Sequence, residues 1–249
     1  MRKLILICIL FLSFTGFTQN EALFEEANAA YQDGNYEAAI NTYEQIIDNG
    51  EISAELYFNL GNAHYKMNHV APSIFYYEKA LQLDPTDKDI KNNIEFARNM
   101  AIDDIEKVEE TGMNQWMNGL ISTFNFSTWA VISIVLSVLF VILFLLYYFT
   151  YRPLYKRILF AGAMLSILLC VISVIFAFQQ EAYIQDNQYA IVFQEEIDVR
   201  EEPNLRGEAS FELHEGTKAR VLEDYQDWYR IELANGAQGW VNKEGLRKL

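Results

Sequence analysis

The chain has 249 residues, 51% of them hydrophobic, and a formal net charge of −15. That length allows about one or two soluble domains, and the acidity excludes a nucleic-acid binder, whose surface needs a basic stripe to meet phosphates. Residues 19–126 carry 19 acidic and 6 basic side chains, and residues 179–249 carry 15 and 8, so the remaining basic residues lie beside the most apolar segments.

Residues 1–18 have the layout of a secretory signal. Arg2 and Lys3 form a basic start, Leu4 to Leu12 a short apolar stretch, and Gly16 and Thr18 the small residues ahead of a cut before Gln19. Cys8 follows bulky Ile7 inside the apolar stretch, a poor setting for lipoprotein processing. Once the signal is removed Cys170 is the remaining cysteine, so no intrachain disulfide is expected.

Residues 54–87 read AELYFNLGNAHYKMNHVAPSIFYYEKALQLDPTD. Tyr57, Leu60, Gly61 and Tyr65 fall on one helix, Tyr77, Ala80 and Leu81 on the next, and Pro85 closes the unit. One period of 34 earlier, Ala27, Tyr31, Gly34, Tyr36, Ala39 and Tyr43 occupy the positions of Gly61, Tyr65, Asn68, Val70, Ser73 and Tyr77. This pattern resembles the tetratricopeptide repeat (TPR), in which helix pairs stack and small residues admit the neighbouring helix. A third helix, expected within 88–110, places Ile90, Ile94, Ala97 and Ile102 on one side and would cap the stack. The resemblance implies a concave peptide-binding groove lined by Phe24, Asn28, Tyr31 and Gln32 and then Phe58, Asn62, Tyr65 and Lys66. An amide at Asn28 and Asn62 can both donate to and accept from a peptide backbone. Phe24 and Phe58 stand where TPRs that clamp a terminal carboxylate carry a basic residue, so no such clamp is expected.

Beyond the repeats, Trp116, Met117, Leu120, Ile121 and Phe124 recur at helical spacing in an uncharged linker, 111–126. That helix either lies in a membrane surface or packs on the repeats. Residues 129–149 and 158–178 are two uncharged apolar runs of 21 residues each, long enough as helices to cross a bilayer of about 30 Å. The expected spans are 127–149 and 158–178. The connector 150–157 holds Arg152, Lys156 and Arg157 with no acid, which predicts a cytoplasmic loop and puts both soluble parts on the outer side. Retaining the signal as an anchor leads to the same topology. Ser133 and Ser137, and Gly162, Ser166 and Cys170, are small residues four apart that let the two helices approach.

From Tyr189 the pattern alternates, with strand candidates at 190–193, 197–200, 219–222, 228–233 and 239–241 and turns at Glu215-Gly216 and Asn235-Gly236. The segments IDVREEP, LHEGTKARVLED and DWYRIELANGAQGWV follow the order of motifs in bacterial SH3 domains, and the resemblance covers residues 187–249. It implies a small barrel that binds cell-wall peptides or proline-rich segments, with Tyr229 and Trp240 as contact candidates.

The three histidines, His64, His69 and His214, do not assemble into a metal-ligand or nucleophile-base set, and no phosphate-binding loop is present. No cofactor, metal or catalytic residue is expected, and the chain reads as a non-enzyme. The fold class is a multidomain membrane protein: all-α TPR repeats, a two-helix transmembrane hairpin and a small all-β SH3-like barrel. In this order the parts resemble the BatE-type proteins of bacterial Bat aerotolerance operons. That resemblance implies an envelope scaffold at the inner membrane, with other Bat membrane proteins bearing von Willebrand factor A domains as partners. Peptidoglycan binding through the barrel is the alternative.

Overall fold

The structure, a computed structural model, describes residues 20–105, 112–205 and 208–249. The signal segment 1–18 and the end of the expected capping helix at 106–110 lie outside the described residues. What is described falls into two compact units: the helical repeats together with the C-terminal sheet, and the helices between them.

In the first unit, α1 (20–32), α2 (Tyr36–Asp48), α3 (Ala54–Lys66), α4 (Val70–Leu83) and α5 (Lys88–Arg98) form an antiparallel stack. Local chemistry sets the helix starts. The side chains of Asn35, Ser53 and Asp87 accept from backbone N–H groups in the first turns of α2, α3 and α5, supplying partners the helix cannot. The turn between the helices of each unit needs a left-handed residue, Gly34 at φ +80° and Asn68 at φ +58°. Asn tolerates that region better than other side chains, so its replacement of Gly at this place is inexpensive. Inside, Gly61 lies under the ring of Tyr77, where an added Cβ would come within 2.8 Å of two ring carbons. The repeat core comprises Ala39, Tyr43, Ile46, Leu56 and Leu60 around α1 to α3, and Ile74, Tyr77, Ala80, Ile90 and Ile94 around α4 and α5.

The C-terminal chain forms seven strands: β1 (Tyr189–Val192), β2 (Glu196–Arg200), β3 (Ala209–His214), β4 (Lys218–Tyr225), β5 (Trp228–Glu232), β6 (Gln238–Asn242) and β7 (Leu246–Lys248). They pair antiparallel in the order β3-β2-β6-β5-β4-β1-β7. Strands β3 and β7 were not among the sequence candidates. The hairpin at Asn235-Gly236 is present, but Gly236 alone has positive φ. Leu233 N–H donates to Ala237 O at 2.8 Å, so the loop has three residues with Gly at the left-handed position instead of the two-residue turn that would need both.

Strand β1 is buried on both faces. Ala190 and Val192 enter the core of the sheet, while Ile191 joins the core built by α4 and α5. The alternation of a strand sends successive side chains to opposite faces, so one short strand serves two cores. Phe193 meets Phe75 edge to face at 5.5 Å, and Gly216, at φ +88°, fits against Ile74, Val70 and Ala101. Two polar clusters frame this contact. Glu78 on α4 is bonded at 2.7 Å both to Arg98 of α5 and to Lys218 of β4. Asp103 accepts from the backbone N–H of His214 at 2.7 Å, from Thr217 Oγ1 at 2.5 Å, and pairs with His214 Nδ1 at 2.8 Å. The repeats and the sheet are therefore one body, not two modules on a string.

In the second unit, α6 (Met113–Ile121) precedes α7 (Phe126–Phe149) and α8 (Pro153–Asp186). Two helices are long and apolar enough to cross a membrane, Phe126–Phe149 and Pro153–Ala182. Only Thr150 to Arg152 separate them, so Lys156 and Arg157 sit on the first turns of α8 and not in an eight-residue loop. Proline at the first helical position needs no N–H there, which lets α8 begin earlier than its charges suggested. Ala163, Ser166, Ser173, Ala177 and Gln180 are buried, and with Cys170 they recur at alternating steps of three and four. Ser166 Oγ donates to Leu136 O at 2.8 Å and Ser173 Oγ to Trp129 O at 2.8 Å. Ser166 and Cys170 lie on the expected seam; Gly162 instead flanks it, facing Leu143. Small side chains let backbones approach closely enough for these bonds.

Candidate interaction groove

The first helices of successive units, α1 and α3, and then α5, are joined by a repeating hydrogen-bonded ladder. Tyr43 donates to Asn28 Oδ1 at 2.6 Å and Asn59 Nδ2 donates to the same oxygen at 3.2 Å. Thirty-four residues on, Tyr77 donates to Asn62 Oδ1 at 2.7 Å and Asn93 Nδ2 joins at 2.8 Å. Burial pushes the Tyr43 hydroxyl up to about 12 and raises that of Tyr77 as well, so both remain donors at neutral pH. A carbonyl oxygen has two lone pairs, and both are used in each rung. Asn28 and Asn62 therefore cannot accept from a peptide N–H as the sequence suggested. Their Nδ2 groups have no other bond among the described residues and can still donate to a peptide carbonyl.

The other expected groove residues share this face at helical spacing. Phe24 and Phe58 are half-buried, with rings 5.9 Å from Tyr43 and 6.0 Å from Tyr77. Tyr31 meets Tyr36 edge to face at 5.2 Å, Tyr65 packs on the α4–α5 core, and Gln32 and Lys66 are exposed. Helix α5 continues the wall as a third tier. Its Phe96, in register with Asn28 and Asn62, is 59% exposed. Sequence reasoning missed Phe96 by treating this helix only as a cap, although adding 34 to Asn62 points straight to it.

The barrel candidates separate. Tyr229 stands opposite Val241, which belongs to the sheet core, whereas Trp240 stands opposite Arg230 and Arg200. Directly opposed residues share a face, so the two aromatics project from opposite sides of the sheet. Tyr229 is covered by Lys243 and Lys248, 5.0 Å and 4.5 Å from its ring centre. Trp240 meets Tyr225 edge to face at 6.2 Å, and Tyr225 is exposed. Tyr225 is thus the neighbour of Trp240 that the sequence did not single out.

His64 is buried beneath Tyr76, its Nδ1 lies 3.1 Å from His69 Nδ1, and its Nε2 has no partner. Burial, then His69 and Arg247, lowers its pKa to about 4, so it is neutral at physiological pH. Among the described residues no group of three or more His, Cys, Asp or Glu is placed to hold a metal ion.

Comparison with known families agrees with the architecture. Residues 54–87 and 21–49 match tetratricopeptide repeat families, and residues 194–248 match the bacterial SH3 domain. Among curated proteins none matches the chain. Among solved structures, an NlpC/P60 family protein from Bacillus cereus is similar at 20% identity and a TM-score of 0.22, over 28% of this chain and 23% of that one. The chain carries two TPR units and a bacterial SH3 domain, together with two helices apolar enough for a membrane.

Proposed function

We propose that this protein is a membrane-anchored scaffold, not an enzyme, that captures a protein partner in the groove of α1, α3 and α5. The observation that carries this reading is the repeated ladder, which fixes three helices side by side and leaves aromatic rings and two amide donors on one face. Preorganised grooves of this kind bind extended segments at little ordering cost. Anchorage rests on α7 and α8 crossing as a hairpin, with Arg152, Lys156 and Arg157 on the cytoplasmic side and the repeats and barrel outside. The docking of barrel on repeats supports this topology, because the contacts of Glu78 and Asp103 require both parts on one side of the bilayer. The order of parts favours a Bat-type envelope complex, with von Willebrand factor A proteins as partners. Cross-linking of full-length protein in membranes, followed by mass spectrometry, tests the groove. Recovery of a partner should fall in a Phe58→Ala, Phe96→Ala variant, and unchanged recovery would count against the proposal.

The pairing of exposed Tyr225 with half-buried Trp240 favours a second role, binding of cell-wall peptides by the barrel. Co-sedimentation of the detergent-solubilised chain with purified sacculi decides it, and the reading fails if Trp240→Ala sediments as the parent does.

A further inference from the structure

The groove has an edge as well as a floor. On α3, Glu55 precedes Phe58, Asn62 and Tyr65 at steps of three and four, so all lie along one face of the helix. The same register puts Glu21 ahead of Phe24 and Asn28 on α1, and Asp89 ahead of Asn92 and Phe96 on α5. These acids stand 34 residues apart, one per tier, and all three are exposed. None is paired with a cation among the described residues. The positive end of each helix dipole favours an acid in the first turn, and the ladder that aligns the helices turns three such acids into a line.

Packed helix axes lie about 8–10 Å apart, and an extended segment in the polyproline-II conformation, with three residues per turn, advances about 3.1 Å per residue and so keeps side chains three apart on one face. Three residues of an extended segment therefore span one tier. We propose that the groove selects an extended segment with Lys or Arg at every third residue, its cations meeting Glu21, Glu55 and Asp89 while apolar side chains between them rest on Phe24, Phe58 and Phe96. This rests on the groove reading above and names the chemistry of the partner. Charge complementarity decides the occupant: an acidic segment would be repelled along the whole edge, and a neutral one would leave it unused.

The test uses full-length protein in detergent micelles and fluorescence anisotropy with three labelled peptides. The first has Lys at every third position separated by Leu and Ser. The second has the same composition with its Lys residues contiguous, and the third has Glu in place of Lys. The spaced-Lys peptide should bind about tenfold more tightly than the contiguous one, with the margin shrinking at high salt. A Glu21→Gln, Glu55→Gln, Asp89→Asn variant should lose that margin, whereas Glu37→Gln, Glu208→Gln, Glu244→Gln, which removes as many exposed acids elsewhere, should keep it. Equal binding of spaced and contiguous peptides, or a margin that survives the first variant, overturns the proposal. If all three peptides bind alike yet weaken together in Phe58→Ala, Phe96→Ala, the groove stands and only the charge selection fails. If no peptide binds, or none responds to the Phe substitutions, the groove reading fails too.

Discussion

Replacing Glu78 by Gln tests whether the repeats and the barrel hold together as one body. The carboxylate is 7% exposed and bonded at 2.7 Å to both Arg98 and Lys218, so one side chain ties α4 to α5 and to β4. Burial alone would raise its pKa, but the two cations outweigh that and hold the carboxyl below its ordinary value. Removing one partner of a fully buried pair costs about 3–5 kcal/mol. Arg98 and Lys218 are 32% and 31% exposed and can regain water, which lowers the expected loss to about 2–3 kcal/mol. For a unit of this size that corresponds to a fall in Tm of about 5–10 °C, measurable by scanning fluorimetry in detergent. The sign with pH follows from the depressed pKa. The stabilisation is present above the ordinary carboxylate value and disappears as pH falls through the folded one, so parent and Glu78→Gln should converge in acid. A double-mutant cycle with Lys218→Met isolates the bond between repeats and barrel. Strict additivity in that cycle, with full coupling retained to Arg98, would refute the docking while leaving the repeats intact.

Three further outcomes follow from the same packing. Gly61→Ala should lower stability by about 1–3 kcal/mol despite the better helix propensity of Ala, because the Tyr77 ring it meets is buried and tied to Asn62; thermal unfolding reads this. Tyr43→Phe and Tyr77→Phe should each cost about 1–2 kcal/mol, and the pair should be additive in denaturant titration, since each breaks a separate rung. Asp103→Asn probes pH dependence at the barrel contact, followed by hydrogen exchange at Gly216 and Thr217. The bond to Asp103 raises the His214 pKa, so its contribution is full below 6.5 and lost as pH rises through the raised value. Burial works to raise the Asp103 pKa, but the bonds from His214 and Thr217 lower it, so its contribution is full above 3.8 and lost in acid. Protection in the parent should therefore exceed that in the variant most between these limits and decline as pH rises through the raised His214 value.

The repeats were legible because their constraint is periodic: Gly61 and Tyr77 occupy places that only a stacked helix pair requires, and the period of 34 exposes them. The ladder was half legible. Asn28 and Asn62 stood out by equivalence, but their partners Asn59 and Asn93 lie on the next tier, and nothing local says that an amide oxygen will be consumed by a neighbour. Strand β7 escaped because three residues, two of them charged, carry too little alternation to register. Tyr229 and Trp240 were grouped because motif order says nothing of which face a residue takes; that depends on register, and pairing places them on opposite sides.

The docking resolves a difficulty that the repeats pose by themselves. A stack of two TPR units exposes a large apolar end, and about three repeats are ordinarily needed for stability. Helix α5 begins at Lys88, one period after Ala54, and so supplies the first helix of a third unit. Packed beside α4 and α5 is β1, with Ile191 fully buried among Val70, Ile74, Phe75 and Ile94. A bare methylene seat at Gly216 permits the approach, since a Cβ there would come within 2.9 Å of Ile74 and 3.0 Å of Val70. The barrel thus completes the helical core in the way a further repeat helix would. Loss of its docking should expose the α4–α5 core and weaken the groove tier at Phe96 before the tiers on α1 and α3.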